Sequence, residues 1–139
     1  MTNSVPILLS NEIIAIHDAV VSRFGGLRSP TTTQIDQLAR VEAIVGRIRN
    51  TLEYTDNFNR NDPFALATLH AVCIARAHAF ADGNKRTALN AAGLVLLRSG
   101  VIFHDHPKLP LLMVDLAESD TDAVRAARRF AALVSAKPI

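Results

Sequence analysis

Cys73 is the chain's single cysteine. Without a second thiol, neither an internal disulfide nor a thiolate metal cluster can form. Tryptophan is absent and Tyr54 is the lone tyrosine, so the stacking platforms that hold single-stranded nucleic acid are scarce. Charge of one sign is scarce too. Lys and Arg number 15 against 13 Asp and Glu, a net +2, and the basic residues are scattered rather than run together. That pattern argues against a nucleic-acid footprint. No apolar run reaches the length that spans a bilayer, because Asn90 and Arg98 interrupt the longest one. MTNSVPILLSNE, at the start, has no positive charge ahead of its short apolar stretch, so a secretory signal is not expected. These absences describe a soluble cytoplasmic protein with no membrane partner and no direct nucleic-acid partner.

What is present is globular. Hydrophobic residues make up 49% of the 139 positions and charged residues 20%, enough apolar material for one core in one domain over residues 1–139. The periodicity is helical nearly throughout. From Ser10, Ile13, Ile16, Val20 and Phe24 recur every three or four residues and stop at Gly25-Gly26. SPTTTQ, at 29 to 34, reads as a loop. A second stripe, Leu38, Val41, Val45, Ile48 and Leu52, has arginines on its other face. After the loop NFNRND, Asp62 suits an N-cap and Pro63 the first helical turn. FALATLHAVCIARA and TALNAAGLVLLRSG are apolar nearly all round, as expected of two central helices enclosed by others. VIFHDHPKLP reads as extended and irregular, with a short strand at most. LLMVDLA is a short helix candidate, and a last helix from about Ser119 carries Ala123, Ala127, Phe130 and Val134 on one side. The expectation is an all-α bundle of about six helices.

Between the two central helices lies HAFADGNKR, residues 78 to 86. A helix N-terminus offers unpaired N–H groups and partial positive charge, so it attracts anions. Gly83 lets the backbone come close, Asn84 can donate through its amide, and Lys85 and Arg86 add full positive charge. Phosphate is the ligand for that combination. His78, at the close of the preceding helix, can accept a proton from a substrate hydroxyl, since an ordinary histidine titrates near ~6.5. Asp82 can hold Mg²⁺, which binds through one or two carboxylates plus phosphate oxygens. Phe80 reads as an apolar anchor for the loop. Together these residues outline a phosphoryl- or nucleotidyl-transfer site.

The same stretch resembles the signature of the Fic/Doc family, His-x-Phe-x-(Asp or Glu)-Gly-Asn-(Gly or Lys)-Arg. IAIHDAVVSRFGGL, VEAIVGRI and NKRTALNAAGLVLLRSGV resemble the Doc branch further, so the likeness covers most of the chain and is weakest after residue 101. It implies a Fic-like helical bundle with the active-site loop between two central helices. By the resemblance, His78, Asp82 and Arg86 are catalytic. His78 is the general base, Asp82 engages Mg²⁺, and Gly83, Asn84, Lys85 and Arg86 bind the phosphates of ATP. AMP-transferring members carry a second arginine three residues after the first, where this chain has Leu89. Lys85 stands where they have glycine, and both departures are Doc-like. In the other direction, Doc itself has alanine where this chain has Gly83. The Doc branch implies transfer of the γ-phosphate of ATP to a threonine of elongation factor Tu, blocking translation, with inhibition in trans by an antitoxin protein. The alternatives are AMP transfer to a protein hydroxyl, or a catalytically silent protein-binding module. The inhibitory pattern Ser/Thr-x-x-x-Glu-Gly/Asn of many Fic enzymes has no good copy; Thr32 to Gln37 departs from it at both final positions.

Other polar residues have plainer readings. His17 is expected to make a helix-surface or inter-helix hydrogen bond, and His70 to satisfy a local polar partner. Cys73 reads as a small buried hydrophobe. His104 and His106 share one face of an extended segment but lack a third nearby ligand, which makes a weak metal site.

Overall fold

The computed structural model describes residues 7–26, 34–55, 58, 61–101, 106–118 and 123–134. Among them are six helices and no strand: α1 Ser10–Phe24, α2 Gln34–Tyr54, α3 Pro63–Ala77, α4 Asn84–Arg98, α5 Leu109–Glu118 and α6 Ala123–Val134. The fold is the all-α bundle read from the periodicity.

Helix α3 is its hub. The Asp62 carboxylate accepts the Phe64 N–H at 3.0 Å, and Pro63 occupies the first turn, where a missing N–H costs nothing. From Ala65 to Ala71 every side chain is buried, because α2, α4, α5 and α6 all pack around this helix. Leu66 and Ile74 are fully buried, each stabilising the fold by roughly 1.5–3 kcal/mol on area bookkeeping. His70 is enclosed as well, and both its ring nitrogens are used. Its Nδ1–H donates to the Leu66 carbonyl at 2.9 Å, and its Nε2 accepts the Leu8 N–H at 3.1 Å. That second bond ties the segment before α1 to the hub. Burial pushes the His70 pKa down to about 4, against a weaker upward pull from the Leu66 carbonyl. Burial also raises the Cys73 thiol to about 11, over opposing effects of Arg47 and Arg76, so this cysteine stays protonated and unreactive.

Helix α4 is less enclosed than its composition suggests. Thr87, Ala88, Ala91, Ala92, Val95 and Leu96 are buried against the core, whereas Asn90 and Arg98 are exposed and Leu97 is 67% exposed. Small residues line the buried face, which lets α3 and α4 approach closely. Beyond Arg98, Gly100 is left-handed (φ +81°), the Val101 N–H reaches the Leu96 carbonyl at 2.9 Å, and the Gly100 N–H reaches that of Leu97 at 3.1 Å. Those two bonds are a Schellman stop, the termination expected of Gly100. Glu12 ties the start of α1 to the end of α4: it accepts the Leu9 N–H at 2.9 Å and pairs with Arg98.

Two stripe positions depart from the expected core. Phe24 and Leu38 are 51% and 41% exposed. Each lies at an end of its helix, beyond the reach of the packed layer, while Ile13, Val20, Val41, Val45, Ile48 and Leu52 are buried as the spacing requires. Helix α5 starts at Leu109, inside the segment read as irregular; Pro110 is compatible with a first turn, as Pro63 is in α3. Phe130 and Ala127 of α6 are buried. His104 lies outside the described residues, and the Nδ1 of His106 accepts the Lys108 N–H at 3.0 Å.

Candidate functional site

Helix α3 ends abruptly at His78. Its backbone is left-handed (φ +49°, ψ +44°), the one non-glycine residue with positive φ among those described. A side chain there is disfavoured, although histidine tolerates it better than most. The turn lifts the imidazole out of the bundle, and His78 is exposed while Ala79 and Phe80 fold back into the core. Phe80 is thus the anchor that the alternating sequence suggested.

The loop from Ala79 to Gly83 is held at three points. The Asn84 side chain clasps Phe80 from both directions: its Nδ2 donates to the Phe80 carbonyl at 2.9 Å, and its Oδ1 accepts the Phe80 N–H at 3.1 Å. The imidazole of His17 in α1 stacks on the Phe80 ring, with centroids 3.8 Å apart and planes 7° from parallel. From there its Nε2–H donates to the Asp82 carbonyl at 2.8 Å. That bond places a proton on Nε2; the other ring nitrogen, Nδ1, is buried, 3.8 Å from the Asp18 carboxylate and without a hydrogen-bond partner among the described residues. His17 thus makes a hydrogen bond neither at the helix surface nor to a second helix, the two expected of it, but to the site loop itself.

Gly83 (φ +80°) turns the chain into α4. The first helical bond runs from the Thr87 N–H to the Gly83 carbonyl at 2.9 Å, so the N–H groups of Asn84, Lys85 and Arg86 have no partner within the helix. An open cleft of about 260 Å³ sits over this end, lined by Ala75, His78, Ala81, Asp82, Gly83, Asn84, Lys85 and Arg86. The sequence-nominated residues thus surround one space, with the imidazole that ends α3 facing the cationic start of α4. A cleft of that size suits a phosphate chain better than an engulfed nucleotide, given that pockets for whole small molecules run to ~300–1,000 Å³. The Asn84 amide spends one of its two N–H donors on the loop, so its backbone N–H and the remaining amide hydrogen are what it could offer an anion.

Asp82 is exposed at the lip of the cleft, and its Oδ1 accepts the Gly83 N–H at 2.9 Å. The other oxygen faces Gly26, where an added Cβ would come within 3.1 Å of it. Among the described residues no group of three or more His, Cys, Asp or Glu could form a protein-only metal cage. One carboxylate beside an anion nest is nevertheless a fitting donor set for Mg²⁺, which takes its remaining ligands from water and phosphate.

Three contributors from α1 and its end were not nominated by sequence reasoning. His17 holds the loop, Gly26 makes room for the Asp82 carboxylate, and Phe24 lies under Arg86, whose guanidinium carbon is 4.4 Å from the ring centroid. One signal was visible beforehand. A single glycine is enough to end a helix, so the second glycine of Gly25-Gly26 is surplus to that task.

Comparison with known proteins identifies the family. The model of the Fic/DOC family matches residues 7–96, a span that contains α1, the cleft and most of α4. The protein named "Protein kinase doc" of Escherichia phage P1 is 41% identical over 109 residues, covering 78% of this chain and 80% of that relative.

Proposed function

The chain belongs to the Fic/DOC family, and on that footing we propose that it is a Doc-type protein kinase that moves the γ-phosphate of ATP to a protein hydroxyl. The hydroxyl we assign is a threonine of elongation factor Tu. Its modification would block translation, which makes the protein a toxin restrained in trans by an antitoxin protein. The observation that carries the reading is one cleft shared by an exposed imidazole and the cationic N-terminus of α4.

His78 takes the proton of the attacking hydroxyl. The hydroxyl oxygen bonds to the γ-phosphorus, the bond from that phosphorus to the bridging oxygen breaks, and ADP departs. The N–H groups of Asn84, Lys85 and Arg86, with the two side-chain cations, bear the charge that builds on the phosphate oxygens. Asp82 would hold Mg²⁺, which when bound neutralises the phosphates. The loop contacts of Asn84 and His17 keep these groups in register, and a misplacement of ~1 Å can cost ~10²-fold in rate. Leu89 supports γ-phosphate over AMP transfer: AMP-transferring members have their second arginine at this position, and here an apolar side chain packs against the core.

The test uses a translation extract and ATP labelled at the α or the γ position. Label from the γ position on a protein of the size of elongation factor Tu is expected. Label from the α position would establish AMP transfer instead, and no transfer by a chain that binds ATP would leave a silent binding module.

A further inference from the structure

Phe24 closes α1 and is 51% exposed, so the core gives no reason for an aromatic there. Its contacts do. The guanidinium carbon of Arg86 lies 4.4 Å from the ring centroid and that of Arg23 5.3 Å away. Both are within the range of a cation–π attraction, and the nearer cation belongs to the phosphate cleft.

We infer that Phe24 is a positioning residue for nucleotide binding, acting through Arg86. An arginine side chain has many rotamers, and ordering them when the ligand arrives weakens binding. A ring that holds the guanidinium beforehand removes part of that cost. The ring also attracts the cation without accepting its N–H groups in conventional hydrogen bonds, so the planar fork of donors remains for phosphate oxygens. Arg23 contacts the same ring but does not line the cleft. Helix α1 thereby acts twice on the cleft, through His17 on the loop and through Phe24 on the cation. The inference rests on reading Arg86 as a phosphate ligand, and not on which phosphorus is transferred.

The experiment is calorimetric titration of the full chain with Mg·ATP, for wild type, Phe24→Leu, Phe24→Tyr, Arg86→Ala and the Phe24→Leu/Arg86→Ala pair. Phe24→Leu should weaken binding by about three- to tenfold, the range of a partly exposed cation–π contact. Phe24→Tyr, which keeps the ring face, should stay within about twofold of wild type. In the Arg86→Ala background Phe24→Leu should add nothing, because the side chain it acts through is gone. Equal affinity of wild type and Phe24→Leu overturns the inference, as do losses that add in the double variant. Thermal melting of each variant separates a folding defect: a Phe24→Leu protein whose binding loss tracks a fall in melting temperature also overturns it. Failure of the kinase reading shows separately, as a wild-type chain that transfers no γ-label while its ATP affinity still depends on Phe24.

Discussion

The imidazole of His17 lies flat on the ring of Phe80, 3.8 Å between centroids, and from that position donates to the Asp82 carbonyl. One buried side chain of α1 thus sets both the apolar and the polar footing of the loop between α3 and α4. His17→Ala removes the stack and the bond together, and should cost roughly 2–4 kcal/mol of stability in urea unfolding. His17→Phe keeps an aromatic ring and loses only the donor, so it should cost nearer ~1 kcal/mol. Equal costs for the two would argue against the hydrogen bond.

His78 ends α3 in a left-handed backbone with its ring exposed over the cleft. Removing the ring should lower γ-label transfer by ~10²–10⁴-fold, the usual contribution of a general base. ATP affinity should stay nearly unchanged, since the base acts on the hydroxyl. His78→Asn is the better control for the backbone, because asparagine also tolerates this conformation. Near-normal turnover in either variant removes His78 from the mechanism.

The two glycines facing Asp82 and His17 should respond differently to alanine. At Gly83 a Cβ would sit 3.5 Å from Val20 Cγ1 and 3.6 Å from His17 Cδ2. Those are ordinary contacts, so Gly83→Ala carries only the left-handed backbone cost of ~1–2 kcal/mol. At Gly26 (φ +131°) a Cβ would crowd the Asp82 carboxylate at 3.1 Å. Gly26→Ala should therefore melt lower than Gly83→Ala and should raise the Mg²⁺ concentration needed for half-maximal transfer.

Acid should weaken the fold through His70. Its folded pKa is about 4, against an ordinary 6.5, so between those values the unfolded chain binds the extra proton. Stability then rises with pH across that window and is lost as pH falls through it, by about 3 kcal/mol in all. Unfolding free energies measured from pH 7 to pH 4 should show this slope. His70→Gln, which does not titrate, should flatten it. Glu12 acts in a lower window: its hydrogen bond with Arg98 holds its carboxyl below the ordinary 4.5, so its contribution disappears only in stronger acid.

Much of this architecture was legible in one dimension. Asp62 and Pro63 start α3, and Gly25 and Gly100 stop α1 and α4, because caps and stops depend on neighbours within a turn of helix. HAFADGNKR carried the loop and its polar groups for the same reason: helix end, turn and helix start are consecutive. Apolar composition misjudged α4, which reads as enclosed but leaves Leu97 and Asn90 in the open. Hydropathy reports how apolar a segment is, and not how many neighbours the fold supplies.

The sequence alone therefore determined most of the helices, where most of them end, and that an imidazole and a cationic turn lie within one nine-residue stretch. Local sterics and hydrogen bonding within a few positions decide such things. Only the tertiary structure decided that α1 completes the cleft. His17 meets Asp82 across 65 residues of chain, and Phe24 and Gly26 meet Arg86 and Asp82 in the same way. No periodicity encodes these contacts, because they follow from how α1 packs against α4 once the common core has closed.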